Sequence, residues 1–272
     1  MTSADPVTRA NLVLHRIGAS RTYGRGASSH EVGLQDLDLC VNAGESLGLL
    51  GGRNDGIELL VHLISGSARP ESGNVFQSEY PLVVSPRSGF TEEETLAFNL
   101  SRMGMARQVN GVALRKVVEL VLDEAGMAEA SSTRVGDVDP MTLGTVAIYM
   151  GIALGASLLV FEDPEEFSAI LEDEDVAAKI AAFRLRGGST VFAGSNPRTL
   201  GRLCDRIIWL KEGRVVMAAD SSTVIRWHSQ VAKAIKDRDH VRARQLERRL
   251  QNQFPPDRFE LLGAAPKPRR GY

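Results

Sequence analysis

The 272-residue sequence has few cysteines and few long stretches without charge. Only Cys40 and Cys204 occur, so no disulfide framework is expected, and a reducing compartment fits best. The segment from Met1 to Gly18 lacks the long apolar core of a secretory signal, so we expect none there. These absences favour an intracellular globular protein over a secreted one.

One stretch is an exception to the regular distribution of charge. Met141 to Phe161 contains no charged residue and is long enough to raise the question of a membrane span. Its glycine, serine and threonine residues dilute its hydrophobicity, and Gly155-Ala156-Ser157 has the composition of a helix end. The stretch therefore predicts a buried helix followed by a short buried strand.

Charge is unevenly divided along the chain, although the net charge is only −2. Residues 226–272 hold twelve Lys/Arg and five Asp/Glu, which is +7 locally and leaves −9 for the remainder. A basic extension on an acidic body suggests contact with an anionic surface, whether lipid, another subunit or nucleic acid, although a merely solvated helix explains it as well.

The order of apolar patterns indicates an α/β protein. Strand-like segments between residues 11 and 50 precede a short helix, and strands and helices then alternate to about residue 217. Residues 91–127 have a helical pattern, and residues 226–252 predict one long charged helix. Alternation of this kind requires a mainly parallel sheet.

The segment LGLLGGRNDGIELL, from Leu47 to Leu60, has the frame of a phosphate-binding loop. A strand-like run meets a turn with Gly51 and Gly56 at the spacing G-x-x-x-x-G, and a helix pattern follows. The next two positions normally hold Lys for the β- and γ-phosphates and Ser or Thr for Mg²⁺, but here they are Ile57 and Glu58.

This replacement opposes phosphate binding. A unit charge pair at 4 Å is worth about 4 kcal/mol at an effective dielectric near 20, so losing the cation and adding an anion costs several kcal/mol. Glu58 also suits the first turn of a helix. For the segment by itself, an ordinary turn and helix cap in an α/β domain is the alternative, and the rest of the chain decides between the two.

Six segments together resemble the nucleotide-binding domain of ATP-binding cassette (ABC) transporters, in that family's order and spacing. The resemblance covers roughly Leu12 to Asp220, and the segments that carry it are TYG (22–24), LGLLGGRNDG (47–56), LISGSARPESGNV (63–75), VAIYMGIAL (146–154), LLVFEDPEE (158–166) and CDRIIWLKEGRVV (204–216). It implies an α/β fold with a P-loop core and mainly parallel sheet, an N-terminal antiparallel β subdomain and an inserted helical subdomain.

The resemblance also implies domain limits. Residues 1–225 would form the nucleotide-binding domain, with the helical subdomain at about 87–155, and residues 226–272 would form a basic helical extension. Ser88-Gly89-Phe90 with Glu93, Thr95 and Asn99 looks like the segment found in subunits that export capsule, O-antigen or teichoic-acid polymers.

Carrying the family's binding motifs onto this chain shows several departures. Tyr23 falls where the family has an aromatic residue that stacks on adenine, and a strand-turn Tyr is the alternative interpretation. The signature motif falls on Asp139, Pro140 and Met141, with a register uncertain by one residue. A carboxylate replaces the motif's Ser hydroxyl, and Pro140 has no N–H to donate to a γ-phosphate.

The catalytic positions depart as well. The metal-side acid and the catalytic base of the family become Glu162 and Asp163, and an Asp base is one methylene shorter than the usual Glu. The switch His becomes Asn196, which cannot be protonated near pH 7. We therefore expect no catalytic residues, no metal, and ATP with Mg²⁺ bound only weakly through vestigial positions: Tyr23, Gly51, Arg53, Gly56, Ile57 and Glu58.

The resulting hypothesis is a pseudo-ATPase subunit of an ABC transporter that exports a cell-envelope polysaccharide and acts as a structural coupler or regulator. It would lie on the inner face of the plasma membrane, with a transmembrane permease and either a second ABC ATPase or itself as partners. One alternative is an active ATPase that uses Glu162 and Asp163, with Arg53 in place of the missing Lys. Another is a binding module outside transport whose basic tail engages lipid or nucleic acid, although aromatic residues near that tail are too sparse to favour nucleic acid.

Overall fold

The computed structural model describes residues 9–23, 30–77, 79, 81–84, 89–256 and 258. Within them the chain forms a three-stranded antiparallel sheet and a six-stranded, mainly parallel sheet, with helices around both. The α/β class, the antiparallel N-terminal part and the mainly parallel sheet are confirmed.

The antiparallel sheet has the strand order β2-β1-β4. These strands span Ala10–Tyr23 for β1, His30–Asn42 for β2 and Ser72–Gln77 for β4. Buried apolar residues alternate along β2 in two stretches, Val32 and Leu34 and then Leu37, Leu39 and Val41, as expected for a sheet with one face on the core. Asp36, with a φ of +49°, lies between them and shifts the alternation by one residue.

The larger sheet has the order β5-β6-β7-β3-β8-β9. Its strands are β3 (Ser46–Leu50), β5 (Leu82–Val84), β6 (Leu158–Glu162), β7 (Ser189–Gly194), β8 (Arg206–Lys211) and β9 (Arg214–Asp220). All pairs are parallel except β8 with β9, which a Glu212-Gly213 turn connects. The parallel strands end at one edge, which brings Gly51, Asp163 and Gly194 close together: the N–H of Gly51 and the N–H of Asp163 donate to the carbonyls of Gly194 and Ala193.

Helices cover the larger sheet and form the insertion between β5 and β6. They are α1 (Ile57–Ser65), α2 (Leu96–Ala106), α3 (Gly111–Glu124), α4 (Pro140–Ala153), α5 (Ser168–Glu172), α6 (Glu174–Leu185) and α7 (Pro197–Leu203).

The helical pattern predicted over residues 91–127 is divided in the structure. Helix α2 begins only at Leu96, where the Thr95 hydroxyl accepts a hydrogen bond from the N–H of Phe98. The helix ends before Gln108, whose φ of +62° interrupts helical geometry, and α3 then starts at Gly111. Local capping therefore splits a pattern that is continuous in sequence.

The uncharged stretch forms a helix and then a strand, as predicted. Helix α4 is 14 residues long, Gly155 follows with a φ of +73°, and β6 starts at Leu158. Among the described residues, no helix is long and apolar enough to cross a membrane.

The prediction of one long C-terminal helix is wrong. The structure has two helices, α8 (Ser221–Lys236) and α9 (His240–Gln253), and Asp239 caps the second by accepting the N–H of Arg242 at 2.9 Å. Val231 of α8 and Leu250 of α9 are buried in the same hydrophobic core as side chains of the larger sheet. The predicted boundary after residue 225 falls inside α8.

A histidine on α8 makes the stability of this region depend on pH. The His228 ring lies 4.8 Å from the Trp209 ring, and burial lowers the pKa of His228 below its ordinary 6.5. Protonation thus favours the unfolded chain, so this contribution to stability is complete above about pH 6.5 and is lost as the pH falls from there to the folded-state pKa. The melting temperature of the parent should fall more between pH 7.5 and pH 5.5, about one unit on either side of the ordinary 6.5, than that of His228→Gln. Equal losses would contradict this role.

Candidate functional site

The glycine-rich turn after β3 forms a compact loop at the carboxyl edge of the larger sheet. Residues Arg53–Asp55 make a single turn of 3₁₀ helix, and Gly56 has a φ of +91°, which favours glycine. A Cβ at Gly56 would also lie 2.8 Å from Leu34 Cδ2. The chain therefore keeps the backbone course of a strand–loop–helix anion site.

The carboxylate of Asp55 occupies hydrogen-bond donors of this loop. Its Oδ2 accepts the N–H of Gly52 at 2.7 Å, and its Oδ1 accepts the N–H of Glu212 at 3.0 Å from the β8–β9 turn. The backbone carbonyl of Asp55 also accepts the N–H of Gly213 at 3.2 Å. An anion of the chain itself thus already accepts a backbone N–H within this loop.

The residue in the lysine position is turned into the protein. Ile57 is only 7% exposed and belongs to the apolar core beneath the loop. A Cβ placed on Gly51 would lie 2.9 Å from Ile57 Cγ1. The Ile57 side chain therefore packs against the base of the loop and supplies no charge to its mouth. The side chain of Arg53, the predicted substitute for the missing Lys, lies outside the described part of the chain.

Glu58 places a negative charge at the start of α1. Its carboxylate lies 3.7 Å from Nε2 of His62, one helical turn along. Among the described residues no side-chain hydrogen bond caps the α1 N-terminus, so Glu58 makes no capping hydrogen bond there. Its charge still suits the positive end of the helix dipole.

The two carboxylates at the end of β6, Glu162 and Asp163, share this negative environment. Burial raises the pKa of Glu162, His62 opposes that rise, and the charges of Asp163 and Glu58 add to it. Asp163 is exposed and has a φ of +47°. The sequence predicted Glu58 and Glu162 as separate departures, and in the structure the charge of Glu58 contributes to the raised pKa of Glu162.

Tyr23 reaches the same region from the end of β1. Burial raises the pKa of Tyr23, Glu58 raises it further, and Arg21 opposes the rise. The Arg21 guanidinium lies 5.3 Å from the centre of the Tyr23 ring. One face of the ring is therefore covered by a cation from the same strand, which competes with stacking of a base.

The predicted signature residues form a helix start. Asp139 is the N-cap of α4 and accepts the N–H of Thr142 at 2.9 Å and its hydroxyl, and these bonds, the hydroxyl first, lower the pKa of Asp139. Pro140 is the first helical residue, and Met141 is 39% exposed. A carboxylate thus already takes one of the donors that a helix N-terminus offers to an anion.

The predicted switch position is also a helix cap. Asn196 is exposed, and its Oδ1 accepts the N–H of Arg198 at 3.0 Å at the start of α7. An amide at this place orders the local backbone, and it has no proton to exchange near neutral pH.

The residues that line the loop do not fit a magnesium–triphosphate group. Glu162 offers a carboxylate of the kind that Mg²⁺ prefers, but the loop and the start of α1 supply the carboxylates of Asp55 and Glu58, and the lysine position holds a buried alkyl group. Among the residues that the structure describes, no cluster of three or more His, Cys, Asp or Glu could hold a metal ion.

Asp55 and His62 were not foreseen as site residues. The signal for Asp55 was present in the sequence, because an Asp three positions after a turn glycine and just before a helix has capping-box spacing. His62 could have been found from its spacing of four residues after Glu58 on one helix face.

Proteins similar in sequence to this chain include ABC transporter ATP-binding proteins. The teichoic acids export ATP-binding protein TagH of Staphylococcus haemolyticus is 21% identical over 207 residues, which cover 75% of this chain and 77% of that protein. The doxorubicin resistance ATP-binding protein DrrA of Mycobacterium tuberculosis is 24% identical over 211 residues, covering 73% of this chain but only 63% of DrrA. No family model matches the chain.

Among solved structures, the chain resembles cbiO1 from Clostridium perfringens, which is part of the ABC transporter complex cbiONQ. The TM-score is 0.62 at 16% sequence identity, over 88% of this chain and 99% of cbiO1. The fold is thus that of an ABC nucleotide-binding domain, and the relatives of the chain are ABC transporter ATP-binding proteins.

Proposed function

We propose that this chain is the nucleotide-binding-domain subunit of an ABC transporter, that it binds ATP weakly at most, and that it does not hydrolyse it. The observation that carries the proposal is the Asp55 carboxylate on the N–H of Gly52, at 2.7 Å, inside the loop that would hold a phosphate. Its role is then a structural coupler or regulator on a transmembrane permease.

The charges around the loop support this proposal. A phosphate would have to displace Asp55 from Gly52 and would face Glu58 without a lysine to offset either cost. Hydrogen bonds to charged groups contribute about 1.5–3 kcal/mol each, and the unfavourable charge adds to this loss. Together these terms lower affinity by several powers of ten.

Pairing with an active subunit fits the arrangement better than pairing with itself. In a head-to-tail ABC dimer each nucleotide lies between one chain's loop and the other chain's signature. This chain offers carboxylates at both places, Glu58 on α1 and Asp139 on α4. Two copies would therefore place like charges opposite each other, whereas a second ABC ATPase can supply a cationic loop.

We also propose that the transporter exports a cell-envelope polysaccharide from the cytoplasmic face of the plasma membrane. Support comes from TagH, which is named for teichoic acid export, and from the Gly89-Phe90 segment of the sequence. DrrA has a comparable identity to this chain but is named for doxorubicin resistance. The name of TagH and the Gly89-Phe90 segment are therefore the whole support for a polysaccharide cargo. Ser88 of that segment lies outside the described residues.

Magnesium-dependent ATP turnover by the purified chain tests the loss of catalysis. We expect the rate of the parent protein to equal that of Asp163→Ala, which removes the exposed carboxylate in the base position. A turnover that is lost in Asp163→Ala would instead establish the active ATPase. A permease and a second ATPase recovered with the tagged chain from native membranes would support the transporter role, and recovery of the chain alone would contradict it.

A further inference from the structure

We infer that helices α8 and α9 form a docking surface for an anionic phospholipid membrane. The inference rests on the charge and exposure of these helices and does not depend on whether the loop binds ATP. Both helices bury one apolar side, including Val224, Val231 and Leu250, in the core and turn their basic residues outward. We call this outward surface the basic face, and its exposed members are Arg226, Lys233, Lys236, Arg238, Arg242, Arg244, Arg248 and Arg249.

The charges of the basic face are largely without internal partners. Three acidic residues have partners: Glu247 pairs with Lys211 from β8, Asp239 caps α9, and Asp220 caps α8. Asp237 is exposed at the end of α8 and offsets one of the positive charges. Among the described residues, Arg242, Arg244 and Arg248 take part in no ion pair. A fixed array of this kind attracts an extended anionic surface.

Exposed aliphatic side chains favour lipid over nucleic acid as the occupant. Val241 is 69% exposed and Ile235 is 44% exposed, both beside basic residues at the corner between α8 and α9. Trp227, the aromatic residue of these helices, is partly buried and has Arg249 at 5.8 Å from its ring centre, so it is not free to stack on a base. Basic residues with adjoining apolar residues match the headgroup region of an anionic bilayer.

Sedimentation of the full chain with lipid vesicles tests the inference. The probes are vesicles of phosphatidylcholine alone and of phosphatidylcholine mixed with phosphatidylglycerol. We expect binding only to the mixed vesicles and its loss in about 0.5 M salt, where charges are screened within a few ångströms. Each basic residue near such a surface contributes about fivefold to partitioning, so the double variant Arg244→Glu with Arg248→Glu should bind at least about thirtyfold more weakly.

A matched control separates the basic face from net charge. Arg115→Glu with Lys116→Glu changes the charge equally at two exposed positions on α3, and it should bind mixed vesicles within about twofold of the parent. All four substituted residues are exposed, so melting temperatures should remain close to that of the parent.

Three outcomes would overturn the inference. One is no binding of the parent to mixed vesicles, and another is equal weakening by the α9 and α3 double variants. The third is a duplex DNA oligonucleotide that binds the parent more tightly than mixed vesicles do at the same salt concentration, which would assign the basic face to nucleic acid.

Discussion

Replacing Ile57 by lysine and Glu58 by serine is not expected to produce tight ATP binding. The substitutions restore the side chains that this loop lacks, but Asp55 would still hold the N–H of Gly52 and exclude a phosphate from it. Isothermal titration calorimetry with Mg-ATP should give a dissociation constant weaker than about 1 mM for the double variant. Nanomolar to micromolar binding would show that the loop remains a functional cradle.

Adding Asp55→Ala to these two substitutions should improve ATP binding. The third change frees the N–H of Gly52 for a phosphate oxygen and removes one negative charge from the loop. One charge-assisted hydrogen bond is worth about 1.5 kcal/mol or more, so we expect at least about tenfold tighter binding than in the double variant. Asn54→Ala on the same double variant is the matched control and should have no such effect, because Asn54 is exposed.

The single substitution Asp55→Ala should destabilise the protein by about 3 kcal/mol. It removes two hydrogen bonds from a carboxylate, to Gly52 and to Glu212, and the second of these connects the loop to the β8–β9 turn. Asp55→Asn, which keeps one acceptor oxygen, should lose about half as much. Urea denaturation measures both losses, provided that the slope of the free energy of unfolding against urea concentration is the same in the variants and the parent.

The exposed neighbour provides the comparison for this experiment. Asn54→Ala should change the free energy of unfolding by no more than about 0.5 kcal/mol. If Asp55→Ala had an equally small effect, the carboxylate would not stabilise the loop. The proposal that Asp55 blocks phosphate binding would then lose its main evidence.

Patterns that repeat along a strand could be predicted from the sequence. The alternating residues of β2 and the buried runs of β3 and β6 follow from the period of the strand and from burial on both faces. Gly155 predicted the end of α4 because its left-handed backbone conformation suits glycine. These features depend on neighbours in the chain.

Features that depend on distant contacts could not be predicted in the same way. The break between α8 and α9 has no glycine or proline, and it occurs where Asp239 caps a new helix that packs on the core. The charge of Glu58 acts on Glu162 and Tyr23, which are far away in sequence, only after three elements meet at one edge of the sheet. The absence of the lysine was visible in the sequence. The hydrogen bond from Glu212 to Asp55 was not, because it forms only when the β8–β9 turn folds against the loop.

A crystal structure from crystals grown with Mg-ATP most directly tests the central claim, which is that this loop does not bind a triphosphate. We predict that Asp55 Oδ2 stays within hydrogen-bonding distance of the N–H of Gly52, at the 2.7 Å seen here, with Ile57 packed beneath the loop and no nucleotide against it. An ordered triphosphate on the backbone N–H groups from Gly52 to Gly56, with the Asp55 carboxylate displaced, would contradict the account.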